Sequence, residues 1–117
     1  MHSTHTVKDN LIGVWQEGYS SSKYGWSGAK GYCIDLTLDG YSDWRLPNID
    51  ELMSISDKNR VDPAIKNIFK YTKSSFYWSS SEVVNSSEAW YVYFRHGYDG
   101  WSYKSSKYYV RCVRGGQ

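Results

Sequence analysis

The chain has 117 residues, a formal net charge of +2 and no apolar run near the ~20 residues that a membrane-spanning helix needs. This length fits one domain, and the dispersed charges, without a Lys/Arg block, do not indicate nucleic-acid binding. Aromatic residues make up 18%, with 12 Tyr and 6 Trp. Because Tyr and Trp combine a rigid apolar ring with a polar group, this composition favours a recognition domain without membrane insertion.

The polar start of the chain, residues 1–8, is predicted to be a disordered or added tail, and residues 9–117 to form a single domain. It contains no apolar core of a signal peptide. Residues 11–17 predict a first strand. The apolar spacing of Trp26, Ala29 and Cys33 then predicts a helix over residues 26–36.

Two further helix starts are predicted in the middle of the chain. Asn48, with Glu51 three residues later, has the arrangement of a capping box. Asp62 followed by Pro63 predicts the start of a second short helix that runs to about residue 68.

The chain changes character after residue 69, where Ser, Tyr, Trp and Gly replace the helical pattern. Residues 76–79, 89–95 and 108–114 are predicted strands, and in the second one Trp90, Val92 and Phe94 alternate with Tyr91 and Tyr93. Glycines 97 and 100 are taken to lie in the connection to the third strand. The predicted architecture is α+β, with two or three short helices followed by a mainly antiparallel sheet, and the first strand pairs near the last.

The two cysteines, Cys33 and Cys112, are far apart and have no clustered His, so they do not predict a zinc site. Their separation favours a disulfide, as in exported proteins, and the alternative is two buried thiols in a cytosolic protein.

Candidate catalytic groups are few. The histidines are His2, His5 and His96, and no G-x-S-x-G motif is present. The acids Asp35, Asp39 and Asp43 are four residues apart, which does not fit a calcium loop of the EF-hand type. We therefore expect no enzymatic activity, no metal and no cofactor.

Several blocks of sequence carry a resemblance to a known family. They are GVWQ at 13–16, GYSDWRLP at 40–47, YWSS at 77–80, AWYV at 89–92 and YVRCVR at 109–114. With these blocks the chain resembles the Lcl C-terminal domain family, which is named after a bacterial collagen-like adhesin. The resemblance covers nearly the whole chain from residue 9 onward.

The resemblance implies a C-type-lectin-like fold, akin to domains of the formylglycine-generating-enzyme type. It also implies a secreted, cell-surface or periplasmic location, a role in adhesion, and glycosaminoglycan binding by a trimeric namesake. Some relatives are variable ligand-binding proteins of diversity-generating retroelements. Calcium-dependent sugar binding is not implied, because the EPN or QPD tripeptide of such lectins is absent.

The resemblance further implies roles for individual residues. Trp44 and Trp90 belong to the core, Asp43 and Arg45 form a structural polar pair, and a disulfide joins Cys33 to Cys112. The remaining tryptophans and phenylalanine assigned to the framework are Trp15, Trp78 and Phe94.

Positions between the family-like blocks combine aromatic, polar and basic residues, as binding surfaces do. The predicted ligand-binding residues are Tyr93, Arg95, His96, Tyr98, Asp99, Trp101, Tyr103, Lys104 and Lys107. We expect a non-catalytic module that binds a glycan or a host or surface protein. The alternatives are a trimerising cap of a surface protein and a diversified retroelement protein.

Overall fold

The computed structural model describes residues 6–115, which form two short helices and two three-stranded antiparallel sheets. The elements are β1 (Thr6–Lys8), β2 (Val14–Gln16), α1 (Trp26–Asp35), α2 (Ile49–Ser54), β3 (Phe76–Glu82), β4 (Glu88–Tyr93), β5 (Tyr98–Tyr103) and β6 (Val113–Arg114). The α+β class is confirmed, and the C-type-lectin-like topology stays a prediction. No helix within residues 6–115 is long and apolar enough to cross a membrane.

The first sheet has the strand order β1-β2-β6, and Trp15 in its central strand lies opposite Val7 and Val113. The prediction that the first strand pairs near the last is confirmed. The predicted first strand is too long, because residues 9–13 fold back as a turn before β2. Part of the predicted tail, Thr6–Lys8, is a strand, while residues 1–5 lie outside the described residues.

Asp9 organises this turn. Its Oδ1 accepts hydrogen bonds from the amides of Leu11, Ile12 and Gly13 at 3.1, 2.7 and 3.0 Å. Its Oδ2 accepts a 2.7 Å bond from the indole Nε1 of Trp15, which is fully buried. Burial of the carboxyl raises the pKa of Asp9, but these four hydrogen bonds outweigh it and hold the pKa below its ordinary value.

The disulfide ties helix α1 to the segment just before β6. α1 buries Trp26, Ala29 and Cys33, as its apolar spacing predicts. Cys33 is joined to Cys112, just before β6, across 79 residues of sequence. The predicted disulfide is thus confirmed, and closing such a long loop stabilises the fold by roughly 4.5 kcal/mol in the chain-entropy model.

Helix α2 begins with the predicted capping box. The Asn48 side chain accepts a 2.9 Å bond from the amide of Glu51, and Glu51 Oε1 accepts one of 2.9 Å from the amide of Asn48. The same carboxylate holds Arg45 through two bonds of 2.7 and 2.8 Å, while Asp43 pairs with Arg114 at 2.7 Å. The predicted Asp43–Arg45 pair is therefore wrong, because each of the two has its own partner elsewhere.

The predicted helix over residues 62–68 is also wrong. The amides of Asp62 and Ala64 donate to the carbonyls of Arg95 and Phe94 at 3.0 and 2.6 Å. The acceptors of these bonds lie just after β4, whereas a helix would require carbonyl oxygens within the same segment. Asp62 also has a φ of +56°, which is outside the helical region.

The second sheet has the strand order β3-β4-β5, with β5 at its edge. The sequence does not predict β5, because Gly97 and Gly100 indicate a connection to the strand predicted at 108–114. The predicted strand over residues 108–114 is wrong for most of its length. Only Val113–Arg114 is a strand, and Tyr108 and Tyr109 each form a single bridge, to Tyr24 and Tyr77.

Two apolar clusters flank the second sheet. One contains Trp26, Trp44 and Trp78, and the other contains Trp15 and Phe94. Four of the five predicted framework residues are therefore buried. The fifth, Trp90, was predicted to be core but is half-buried.

Arg111 is a fully buried cation that the sequence analysis missed. Its guanidinium donates to the carbonyl oxygens of Gln16, Glu17, Gly18 and Tyr71 and to the hydroxyl of Thr72. Burial lowers the pKa of Arg111, and the carbonyl dipoles compensate for the water that the charge has lost. Arg111 thereby holds the loop after β2 against the segment before β3.

Candidate ligand-binding surface

The predicted site lies on the hairpin of β4 and β5. A tight turn joins the strands, in which the amide of Gly97 donates to the carbonyl of Tyr93 at 2.8 Å. Gly97 has a φ of +83°, which favours glycine. The turn places Tyr93 directly opposite Tyr98, and Trp90 opposite Trp101.

The hairpin divides the predicted residues between its two faces, because successive side chains of a strand point to opposite sides of the sheet. Tyr93 and Tyr98 lie on one face. Asp99, Trp101 and Tyr103 lie on the other. The predicted ligand-binding residues therefore do not form a single continuous surface.

The first face carries a row of packed rings, which we call the aromatic ladder. It consists of Tyr108, Phe76, Tyr93, Tyr98, Tyr91 and His96. Phe76 and Tyr93 are stacked at 4.2 Å with an interplanar angle of 10°, and Phe76 stacks on Tyr108 at 5.0 Å. Since β3 and β4 supply Phe76 and Tyr93, the sheet register itself holds this stack.

His96 continues the ladder around the turn. Its ring centre is 5.7 Å from that of Tyr93 and 5.6 Å from that of Tyr98. Tyr98 is exposed, with 58% of its surface accessible, and His96 is exposed as well, whereas Phe76 and Tyr93 are half-buried. A ligand can therefore reach the Tyr98 ring, and the inner rings Phe76 and Tyr93 are partly accessible.

Within the ladder, Tyr91 packs edge-on against two of the other rings. Its ring meets Phe76 edge-on at 4.9 Å and Tyr108 at 5.6 Å, and it lies against the backbone of Gly100 in β5. Partial burial, followed by the proximity of Tyr108 and Asp99, raises the pKa of Tyr91. The phenol is thus held as a neutral group that can donate and accept hydrogen bonds.

The opposite face carries a smaller cluster, which we call the indole side. It consists of Trp90 and Trp101, whose rings meet edge-on at 5.0 Å, with Tyr103 on the same face of β5. Trp101 and Tyr103 are 54% and 64% exposed. Trp90 packs against this exposed neighbour and not in the core.

The basic residues of the predicted set have different surroundings. Arg95 and Lys107 are exposed, Arg95 in the hairpin turn and Lys107 next to Tyr108. Lys104 pairs with Glu82 at 2.7 Å and lies 4.5 Å from the centre of the Trp26 ring. Its ammonium is therefore already engaged, and Arg95 and Lys107 directly precede the ladder residues His96 and Tyr108 in the chain.

Three ladder residues, Phe76, Tyr91 and Tyr108, were not among the predicted site residues. The signal for Tyr91 was present, because it alternates with Val92 in the same period as Tyr93. Nothing local in the sequence pairs Phe76 or Tyr108 with that strand, since both come from other parts of the chain. Within residues 6–115 no three His, Cys, Asp or Glu side chains come together as a metal site would require.

Comparison with known proteins identifies the family. The family model of the Lcl C-terminal domain matches residues 5–114, and this span includes both sheets and the whole ladder. No curated protein matches the chain. The chain belongs to the Lcl C-terminal domain family.

Proposed function

We propose that this domain is a non-catalytic ligand-binding module of an exported, adhesin-type protein, and that its ligand lies along the aromatic ladder. The observation that carries the proposal is the continuous row of packed, partly exposed rings across three strands and the segment at Tyr108. Rings fixed by stacking lose little conformational entropy when a ligand binds.

A saccharide chain is the ligand that fits this surface best. Tyrosine offers sugars an apolar ring and a hydroxyl that both donates and accepts. The row is elongated, as an oligosaccharide is, and three strand spacings of ~4.8 Å give it a length of roughly 15 Å. Arg95 and Lys107, which are exposed and precede His96 and Tyr108 of the ladder in sequence, can pair with carboxylate or sulfate groups of acidic sugars.

The disulfide supports a non-catalytic, exported role in two ways. Both cysteines of the chain form the disulfide, so neither offers the thiol that chemistry of the formylglycine-generating type requires. A disulfide of this kind is also typical of proteins in oxidising compartments outside the cytosol.

A glycan array tests the proposal with two matched variants. Tyr98→Ala and Tyr103→Ala each remove an exposed tyrosine from β5, but from opposite faces. We expect Tyr98→Ala to lose the signals of the parent protein and Tyr103→Ala to keep them. Equal retention by both variants would contradict the ladder as the binding surface. A blank array with capture of a protein in a parallel pull-down would contradict the choice of a saccharide.

The indole side supports a second candidate function, self-assembly into a homo-oligomer such as a trimer. Trp101 and Tyr103 are large exposed rings on one face of an edge strand, a composition common in interfaces. Light scattering over a range of protein concentrations tests it. Assembly that Trp101→Ser abolishes would support this role, and a monomer at high concentration would contradict it.

A further inference from the structure

Helix α1 borders an open cleft that shares no lining residue with the aromatic ladder, although Tyr24 in its wall forms a backbone bridge to Tyr108 of the ladder. Gly31, Tyr32 and Asp35 follow Gly28 by three, four and seven residues. At this spacing the four residues lie along one face of the helix. With Tyr24 and residues 36–37 they line an open cleft of about 510 Å³. Its volume is within the range of small-molecule sites.

Two tyrosines form the apolar wall of this cleft. The rings of Tyr24 and Tyr32 are 5.4 Å apart with an angle of 37° between their planes. The Tyr24 ring lies against Gly28, where an added Cβ would be 3.3 Å from its Cδ1 atom. The Tyr32 hydroxyl accepts a 2.9 Å bond from Gln16, so both rings are held in place before any ligand arrives.

Glycine keeps the cleft open. A Cβ added at Gly31 would have nothing within 4 Å, which means that a side chain there would project into free space. A glycine inside a helix costs stability relative to alanine. A larger side chain at position 31 would occupy part of the open volume of the cleft.

The cleft carries negative charge where Asp35 lines it. Asp35 lies at the C-terminal end of α1, where the helix dipole already places partial negative charge, and the last turn contains no basic residue. The nearest lysines along the chain are directed elsewhere. Lys30 lies 3.7 Å from the centre of the Trp26 ring, and Lys23 lies 5.3 Å from that of Tyr109.

We infer that this cleft binds an organic ammonium group, which lies against the Tyr24 and Tyr32 rings and next to the carboxylate of Asp35. Aromatic faces attract cations through the ring quadrupole, and a carboxylate adds a direct charge interaction. A cation here would also relieve the unfavourable position of Asp35 at the negative end of the helix. The inference uses no residue of the ladder and does not depend on the proposed function.

Titration with three small molecules tests this inference. They are choline, Nα-acetyl-lysine amide, which keeps its ε-ammonium group, and 3,3-dimethylbutan-1-ol, which is the neutral isostere of choline. The shifts of the Gly28 and Gly31 amide signals would be followed by NMR. We expect saturable binding of at least one cation in the millimolar range, with the alcohol bound about tenfold more weakly, as for the loss of one charge interaction. The tighter cation identifies the source as a quaternary or a lysine-type ammonium. Equal binding of the alcohol, or no saturable shift with either cation, would overturn the inference.

Two variants make the test specific. Asp35→Asn should weaken the cation about tenfold, and Asp50→Asn, which removes an exposed carboxylate from α2, should not. Gly31→Leu should fill the cleft and abolish the shifts, while circular dichroism shows whether the domain remains folded. Unchanged cation affinity in a folded Gly31→Leu protein would also overturn the inference.

Discussion

Tyr91 lies so close over Gly100 that a Cβ added to this glycine would be 2.6 Å from the tyrosine hydroxyl oxygen. The contact joins β4 to the edge strand β5 and supports the ring that braces Phe76 and Tyr108. Glycine at position 100 thus makes room for a ring of the ladder, although it contributes no side chain itself.

Gly100→Ala should displace the Tyr91 ring and disturb the ladder without unfolding the domain. The near-ultraviolet circular dichroism of the aromatic residues should change, and ligand affinity should fall. Ser102→Ala, at the next position on the same face of β5, is the control and should leave the spectrum nearly unchanged. An unaltered aromatic spectrum in Gly100→Ala would show that Tyr91 is not held as described.

Asp9→Asn should destabilise the fold by about 1.5–3 kcal/mol near neutral pH, because hydrogen bonds to a charged acceptor are lost. The lowered pKa of Asp9 means that its stabilisation is complete above the ordinary carboxyl value and disappears as pH falls through the lowered one. Urea unfolding at several pH values measures this. The deficit of Asp9→Asn should therefore shrink in acid, and a constant deficit would contradict the role of the charge. Asp99→Asn is the matched control, since that carboxylate is exposed in β5.

Arg111→Lys should destabilise the fold by about 3 kcal/mol or more, although it keeps the charge. An ammonium has three donors in another geometry, so some of the buried carbonyls that face the guanidinium lose their hydrogen bonds. Arg60→Lys, at an exposed position, should change stability by less than ~0.5 kcal/mol. Similar unfolding curves for the two variants would contradict the cage around Arg111.

Gly31→Ala should stabilise the domain by about 0.5–1 kcal/mol, because alanine favours the helix and its methyl group meets open space. Gly28→Ala should gain less, since its methyl group would press on the Tyr24 ring at 3.3 Å. Thermal unfolding of the two variants side by side checks the order. A larger gain for Gly28→Ala would contradict the described position of Tyr24.

Local signals in the sequence were sufficient for several elements. The apolar spacing of α1 and the capping box at Asn48 depend on residues a few positions apart, so they could be predicted without tertiary information. The family resemblance added the Cys33–Cys112 bridge, which spacing alone left open.

Other features depend on contacts that no local pattern contains. β5 includes Asp99 and Gly100, which are poor strand formers, and it forms because β4 pairs with it over its full length. The Asp62-Pro63 dipeptide predicts a helix start, but the amides of Asp62 and Ala64 bond to the carbonyls of Arg95 and Phe94, so no helix forms there. The ladder likewise joins Phe76, Tyr93 and Tyr108 from distant segments, so the sequence predicted only part of it.

The most direct test of the central claim is an NMR titration of the domain with a glycan that it binds on the array. The ring signals of Tyr93 and Tyr98 report on the ladder, and the indole N–H signals of Trp90 and Trp101 report on the opposite face of the same hairpin. We predict saturable shifts for the two tyrosines and unchanged indole signals. Saturable shifts of the indole signals with unchanged tyrosine rings would contradict the account.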